Sequence, residues 1–143
     1  MKNLRSTPLQ ASDAGTSLQQ LVAQLVTDSL PTAFHNKTNI VNEVEREVVI
    51  ENNSEKVITV MKDLLATVVQ NSNNGDIHIY AECYRDIIIL QIQERNNYNG
   101  YALSFSIGAI EPDAINAGGH ISIDGPGKRV ATISFSFPAL FAA

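Results

Sequence analysis

The chain has no tryptophan, a single cysteine (Cys83) and little positive charge, and each shortage closes off a class of function. One cysteine excludes an internal disulfide and any cysteine-based metal centre. Ten Lys and Arg stand against fifteen Asp and Glu, a net charge of -5 that no basic cluster offsets, which argues against nonspecific nucleic-acid binding. No apolar run approaches the ~20 residues that span a bilayer. The N-terminal MKNLRSTPLQ lacks the continuous apolar stretch of a secretion signal. Together these absences imply a cytoplasmic protein with no membrane insertion. Aromatic residues are only 6% against 44% apolar, so the core must be built from Ile, Val, Leu and Ala. At 143 residues the chain fits one domain that buries a sizeable core.

Catalytic signatures are equally sparse. There is no Gly-x-Ser-x-Gly, no Cys/His pair close in sequence, and three scattered histidines give no zinc spacing. Gly125-Pro126-Gly127-Lys128 is too short for a phosphate-binding loop and reads as a hairpin turn. His35, in FHNKT, is the one histidine outside a strand pattern and lacks an acidic neighbour of the kind that accompanies a phosphoacceptor.

What is present is a clear alternation of periods. Residues 1–15 form a polar lead-in with Pro8 and Gly15. Leu18, Leu21, Val22, Leu25 and Val26 predict a helix from Ser17 to Leu30, capped by Thr16 or Ser17 and stopped by Pro31. Strands are expected in Thr38–Val44 and Arg46–Glu51, then a turn at Asn52-Asn53. A second helix begins at Ser54, a good N-cap. Its wide stripe of Val57, Ile58, Val60, Met61, Leu64, Leu65, Val68 and Val69 implies packing on a sheet face, and Asn71–Gly75 ends it. Asp76–Cys83 and Asp86–Glu94 read as a hairpin around Tyr84-Arg85-Asp86. Tyr101–Ile107 alternates like a strand, Glu111–Ala117 like a helix stopped by Gly118-Gly119, and His120–Asp124 with Arg129–Phe137 like a second hairpin. Phe135, Phe137 and Phe141 read as core and sheet face. The pattern is α+β: a two-layer sandwich with a mixed, mainly antiparallel sheet and helices on one face.

The order of these elements resembles the ATP-binding domain of histidine kinases, in the GHKL group with gyrase, Hsp90 and MutL (the Bergerat fold). The resemblance covers roughly residues 16–138, with a short tail at 139–143. DLLATVVQNSNNGDI is similar to the asparagine box of that family, LQIQERNNYNG to its strand and glycine turn, and GGHISI with TISFSFP to its closing strands. The resemblance places the nucleotide near Thr67, Gln70, Asn71, Glu94 and Gly100. It also marks departures. Thr67 stands where the family's asparagine holds Mg²⁺, Gln70 where a basic residue meets phosphate, and Glu94 where an aspartate reads the adenine amino group. A threonine hydroxyl reaches less far than a carboxamide oxygen toward a hard octahedral cation. No Lys or Arg lies between Lys62 and Arg85 or between Arg95 and Lys128, and no G-x-G marks a phosphate-covering lid.

The resemblance with these departures implies a histidine-kinase-like domain with a degenerate nucleotide site. No catalytic residue, no metal ligand and no resident cofactor is then expected, and the role is that of a non-catalytic signalling or regulatory module, a kind of pseudo-kinase. Its partner would be another signalling protein rather than nucleic acid, and a homodimer is compatible with it. The alternative is an active domain that binds ATP and Mg²⁺, from a sensor kinase or an anti-sigma-type protein kinase; a third reading is a phosphotransfer protein. Plainer structural readings stand beside these. Thr67 reads as a half-buried helix residue, Asn71–Gly75 as a helix cap, and Glu94 as a solvated carboxylate at a strand end. The chain also has no helical hairpin carrying a phosphorylatable histidine, so a complete kinase is not expected from it.

Overall fold

A computed structural model describes residues 15–50 and 55–139. The elements run β1 (Thr16–Ser17), α1 (Leu18–His35), β2 (Asn39–Asn42), β3 (Val49–Ile50), α2 (Glu55–Gln70), β4 (Asp76–Tyr84), β5 (Ile87–Glu94), α3 (Gly100–Gly108), α4 (Glu111–Asn116), β6 (His120–Asp124) and β7 (Ala131–Pro138). The expected cap at Ser54, the turn at Asn52-Asn53, the lead-in up to Ala14, Phe141 and most of the tail lie outside the described residues.

The main sheet has five strands in the order β2-β4-β5-β7-β6. Only the β2–β4 pair is parallel; the other pairs are antiparallel. A separate ribbon pairs β1 with β3, Thr16 opposite Ile50. Strand periodicity sorts the two faces of the sheet. Ile77 and Ile79, Ile88, Leu90 and Ile92, and Ala131, Ile133, Phe135 and Phe137 are all buried on one face. His78, Tyr80, Gln91, Gln93, Thr132 and Ser134 turn to the other, which carries no helix among the described residues.

All four helices pack on the apolar face. α2 lies at their centre and touches α1, α3, α4 and β5. Its buried residues Val57, Val60, Met61, Leu64, Leu65, Val68 and Val69 recur at three- and four-residue spacing, so one stripe meets both the sheet and the flanking helices. The Phe135 and Phe137 rings, with centroids 4.9 Å apart, close the core on the β7 side.

Two elements differ from the sequence expectation. The first helix runs on to His35 through Pro31. Pro31 removes one N–H, but Thr27, whose carbonyl loses that partner, is exposed to water. The helix stops instead at a Schellman turn: Lys37 N donates to Phe34 O (3.1 Å) and Thr38 N to Ala33 O (2.8 Å), with Lys37 left-handed at φ 54°. The second difference is Tyr101–Ile107, which is helical. Over seven residues the alternation of Leu103, Phe105 and Ile107 also satisfies helical spacing for Leu103 and Ile107. Those two are buried, α3 packs on α2, and Phe105 is left 85% exposed. The helix at Glu111 is as expected and ends on the same device as α1, with Gly118 at φ +85° and Gly119 N donating to Ala114 O (2.8 Å).

Leu64 is fully buried at the centre of α2. Leu64→Ala is expected to lower unfolding free energy by about 2–5 kcal/mol, and Phe105→Ala by less than about 0.5 kcal/mol, in urea titrations followed by circular dichroism.

Candidate functional site

The corner where α2 ends, β4 begins and β5 ends collects Asn71, Ser72, Gly75, Asp76, Glu94 and Asn96. Glu94 is the last residue of β5 and points to the helix side of the sheet. It is not the solvated strand-end carboxylate suggested by its position, being only 3% exposed. Its Oε1 accepts from Asp76 N (2.8 Å) and Asn96 N (3.0 Å). Its Oε2 lies within hydrogen-bond reach of Ser72 Oγ. The single Ser72 proton serves either Glu94 Oε2 or Val68 O, 2.7 Å away. A Cβ at Gly75 would overlap Glu94 Oε2 and crowd the Ser72 Cβ, so glycine is what lets the carboxylate lie against the backbone.

Asparagines tie the same corner together. Asn71 Nδ2 donates to Thr67 O (2.9 Å), capping α2 from its own side chain. Asn36 Nδ2 reaches Val69 O (2.9 Å), Asn74 N donates to Asn36 O (2.9 Å), and Asn96 Nδ2 donates to Asn74 O (2.8 Å). Asn74 sits at φ 53°, a left-handed conformation that asparagine tolerates. The ends of α1, α2 and β5 and the start of β4 are thereby held in one hydrogen-bonded knot.

The other residues singled out by the sequence are dispersed. Thr67 is half-buried in the last turns of α2, and Gln70, one turn on, is exposed. Gly100 is buried at the start of α3, where a Cβ would overlap the carbonyl of Pro126; its glycine serves a backbone contact with the β6–β7 turn. Asn97 Nδ2 donates to both Pro126 O (3.0 Å) and Lys128 O (2.8 Å), fastening that turn to the segment before α3. The result could not be read from linear sequence: Lys128 and Arg129 line a cleft of about 320 Å³ with Asn97, Tyr98, Gly100 and Tyr101. The gap in positive charge between Arg95 and Lys128 is thus filled in space by a turn 28 residues downstream of Gly100.

The open face of the sheet carries a second polar cluster, beside a cleft of about 580 Å³ lined in part by Glu43, Tyr80, Gln93 and Arg95. His78 Nδ1 lies 2.6 Å from Glu43 Oε2, and its Nε2 lies 3.0 Å from Asp76 Oδ1. A neutral ring can donate to only one of these carboxylates, a protonated ring to both. Arg95 donates to the Tyr80 hydroxyl and through Nε to Gln93 Oε1 (2.7 Å). Hydrogen bonds from His78, then from Tyr80, hold the Glu43 carboxyl below its ordinary range. Desolvation, then the bond to Glu43, pushes the Tyr80 phenol up. Among the described residues no group of three or more His, Cys, Asp or Glu is arranged to hold a metal ion. Nor is any described helix long and apolar enough to cross a membrane.

A five-stranded mixed sheet with helices on one face is the architecture of the histidine-kinase ATP-binding domain. Solved structures bear this out. The Acinetobacter baumannii histidine kinase AdeS superposes with a TM-score of 0.71 at 11% identity, over 87% of this chain and 66% of that one. The nucleotide-free catalytic domain of histidine kinase ThkA gives 0.67 at 15% identity, over 87% of this chain and 94% of that one. Full-length ShkA in complex with AMPPNP gives 0.72 at 13% identity, over 93% of this chain but 32% of that one. The chain therefore has the fold of a histidine-kinase catalytic domain and spans under two thirds of AdeS and about one third of ShkA. No protein-family model and no curated sequence matches it.

Two outcomes follow from the corner and the open face. Gly75→Ala, which drives a methyl into Glu94, should destabilise by about 1–3 kcal/mol in urea unfolding, and Glu94→Gln, which keeps an oxygen for the two backbone N–H groups but loses their charge-assisted bonds, by about 1–2 kcal/mol. Glu43 has a folded pKa below its unfolded one, so its contribution is present above the ordinary carboxylate range and lost as pH falls through the depressed value. Glu43→Gln should therefore be less stable than the parent at pH 6, with the difference shrinking below about pH 4.

Proposed function

We propose that this chain is a histidine-kinase-type domain whose nucleotide corner has been given over to holding the fold, and that it serves as a non-catalytic binding module in signalling. The observation that carries this reading is the occupation of Glu94. Its Oε1 accepts from two backbone N–H groups, its Oε2 lies against the Ser72 hydroxyl, and the residue is 3% exposed. A carboxylate that reads an adenine amino group needs a free lone pair aimed into a cavity. Here the backbone of Gly75 lies against it.

The residues present do not fit Mg²⁺-ATP as the resemblance would require. Thr67 offers one short hydroxyl in place of a carboxamide, and Gln70 carries no charge toward phosphate. α3 packs its Leu103 and Ile107 toward α2, where a phosphate-covering lid would have to stand clear. Retention of the complete sheet and helix layer without these groups favours a role in recognition, with a signalling protein as partner. One of the similar kinases, ThkA, is known in complex with the response regulator TrrA.

A second reading, an active ATP- and Mg²⁺-binding domain, is supported by the cationic cleft of Lys128 and Arg129 beside Tyr98 and Tyr101. Isothermal titration separates the two. Mg²⁺-ATP at up to about 1 mM is expected to give no saturable heat. Micromolar affinity that Thr67→Val or Lys128→Ala abolishes, with the unfolding midpoint unchanged, would sink the non-catalytic reading in favour of the second.

A further inference from the structure

The two edges of the main sheet are treated differently. At β2 the edge is four residues long and is closed by α1. Asn42 Nδ2 donates to Gln19 O (3.0 Å), and Gln19 Nε2 donates to Val44 O (3.0 Å). At β6 no strand lies on the outer side among the described residues. His120-Ile121-Ser122-Ile123-Asp124 contains no proline and no lysine, and its register with β7 runs without a bulge. These are the devices that ordinarily blunt an exposed edge.

The ladder also says which backbone groups are free. Ala139 N donates to Asp86 O (2.8 Å), extending the β5–β7 register by one hydrogen-bonded pair. Across the same strand, Arg95 N donates to Asp76 O (2.9 Å), extending the β4–β5 register. Bonded and non-bonded pairs alternate in antiparallel ladders. Odd-numbered residues of β7 thus bond to β5, and Thr132, Ser134 and Ser136 bond to Asp124, Ser122 and His120. The N–H and C=O groups of Ile121 and Ile123 are the ones that point outward.

We propose that β6 is a self-association edge that pairs antiparallel with β6 of a second copy of this chain about a two-fold axis at Ser122. That register matches every exposed feature of the strand. It sets Ile121 opposite Ile123 of the partner as a hydrogen-bonded pair, twice, using all the outward groups. Ser122 faces Ser122 of the partner, and His120 faces Asp124 of the partner in non-bonded pairs, whose Cα atoms approach to about 4.5 Å. An imidazole–carboxylate pair therefore forms on each side of the axis, on the exposed face. On the other face, a groove of about 220 Å³ lined by Ile107, Gly108, Ile121 and Ile123, with Ser104 and Glu111 at its polar side, has room for the incoming isoleucine, and Gly108 leaves open space beside it. A second copy is favoured over an unrelated segment because the five residues are complementary to their own reverse.

Five residues per side bury less than the roughly 1,000 Å² of a stable complex, so the association is weak, with a dissociation constant on the order of a millimolar or somewhat below. It stands independently of the nucleotide question. The test is sedimentation and amide hydrogen exchange of the full chain, from about 10 μM to 2 mM. Dimer should accumulate with concentration, and the Ile121 and Ile123 amides should become protected as it does. Ser122→Asp, which opposes two carboxylates on the axis, and His120→Glu, which opposes Asp124, should each weaken the dimer about fivefold or more. Adding Asp124→Lys to His120→Glu should restore it to within about twofold. All three positions are exposed, so the monomer's unfolding midpoint should not move. A chain that stays monomeric throughout, as it would if the edge served only a different protein, overturns the proposal. So does a dimer that none of the variants alters.

Discussion

The buried carboxylate of Glu94 is the constraint on which the arrangement of the helix layer depends. A buried acid without donors costs several kcal/mol, so its place is set by where donors can be found. Here they come from three segments: the residue after the α2 cap, the first residue of β4 and the loop leaving β5. Satisfying one side chain thus fixes the end of the central helix against two neighbouring strands. The asparagine bonds from Asn36, Asn74 and Asn96 extend the same tie to the end of α1. The apolar stripe of α2 supplies most of the burial; the polar corner sets how far along the sheet that stripe sits.

This has a bearing on how the fold relates to its chemistry. A strand-end acid that binds a ligand must keep an oxygen aimed into open space. In this chain the same position is lined by the protein's own N–H groups and closed by Gly75. Longer reach makes this possible: a glutamate places its oxygens one methylene further from the strand than an aspartate does. Lys128 and Arg129 gather with two tyrosines at the start of α3 and not along α2.

Much of the architecture was legible in sequence because burial writes a period into it. The alternation of β4, β5 and β7 and the stripe of α2 follow directly from one-sided burial, and Gly118-Gly119 marks a helix end by a conformation the chain requires there. α3 was not legible, because Leu103, Phe105 and Ile107 satisfy a period of two and Leu103 with Ile107 a period near four. Seven residues cannot separate these, and contact with α2 decides between them. Pro31 misled because it lies on the exposed face of the helix, where the Thr27 carbonyl that loses its partner meets water. For the site, the resemblance only points to Thr67, Gln70 and Glu94 along the chain. The donors around Glu94 and the meeting of Gly100 with Pro126 depend on tertiary structure and have no local signature.

Gly75 and Glu94 occupy the same few cubic ångströms from opposite sides. Neither residue can be altered in size without leaving either an overlap or a void at the other. Sequences descended from a common ancestor with this chain would then be expected to vary at these two positions as a pair, glycine accompanying the longer acid and a side chain at 75 accompanying a shorter one. Such paired variation would mark, without any structure, in which of them the two residues lie against each other.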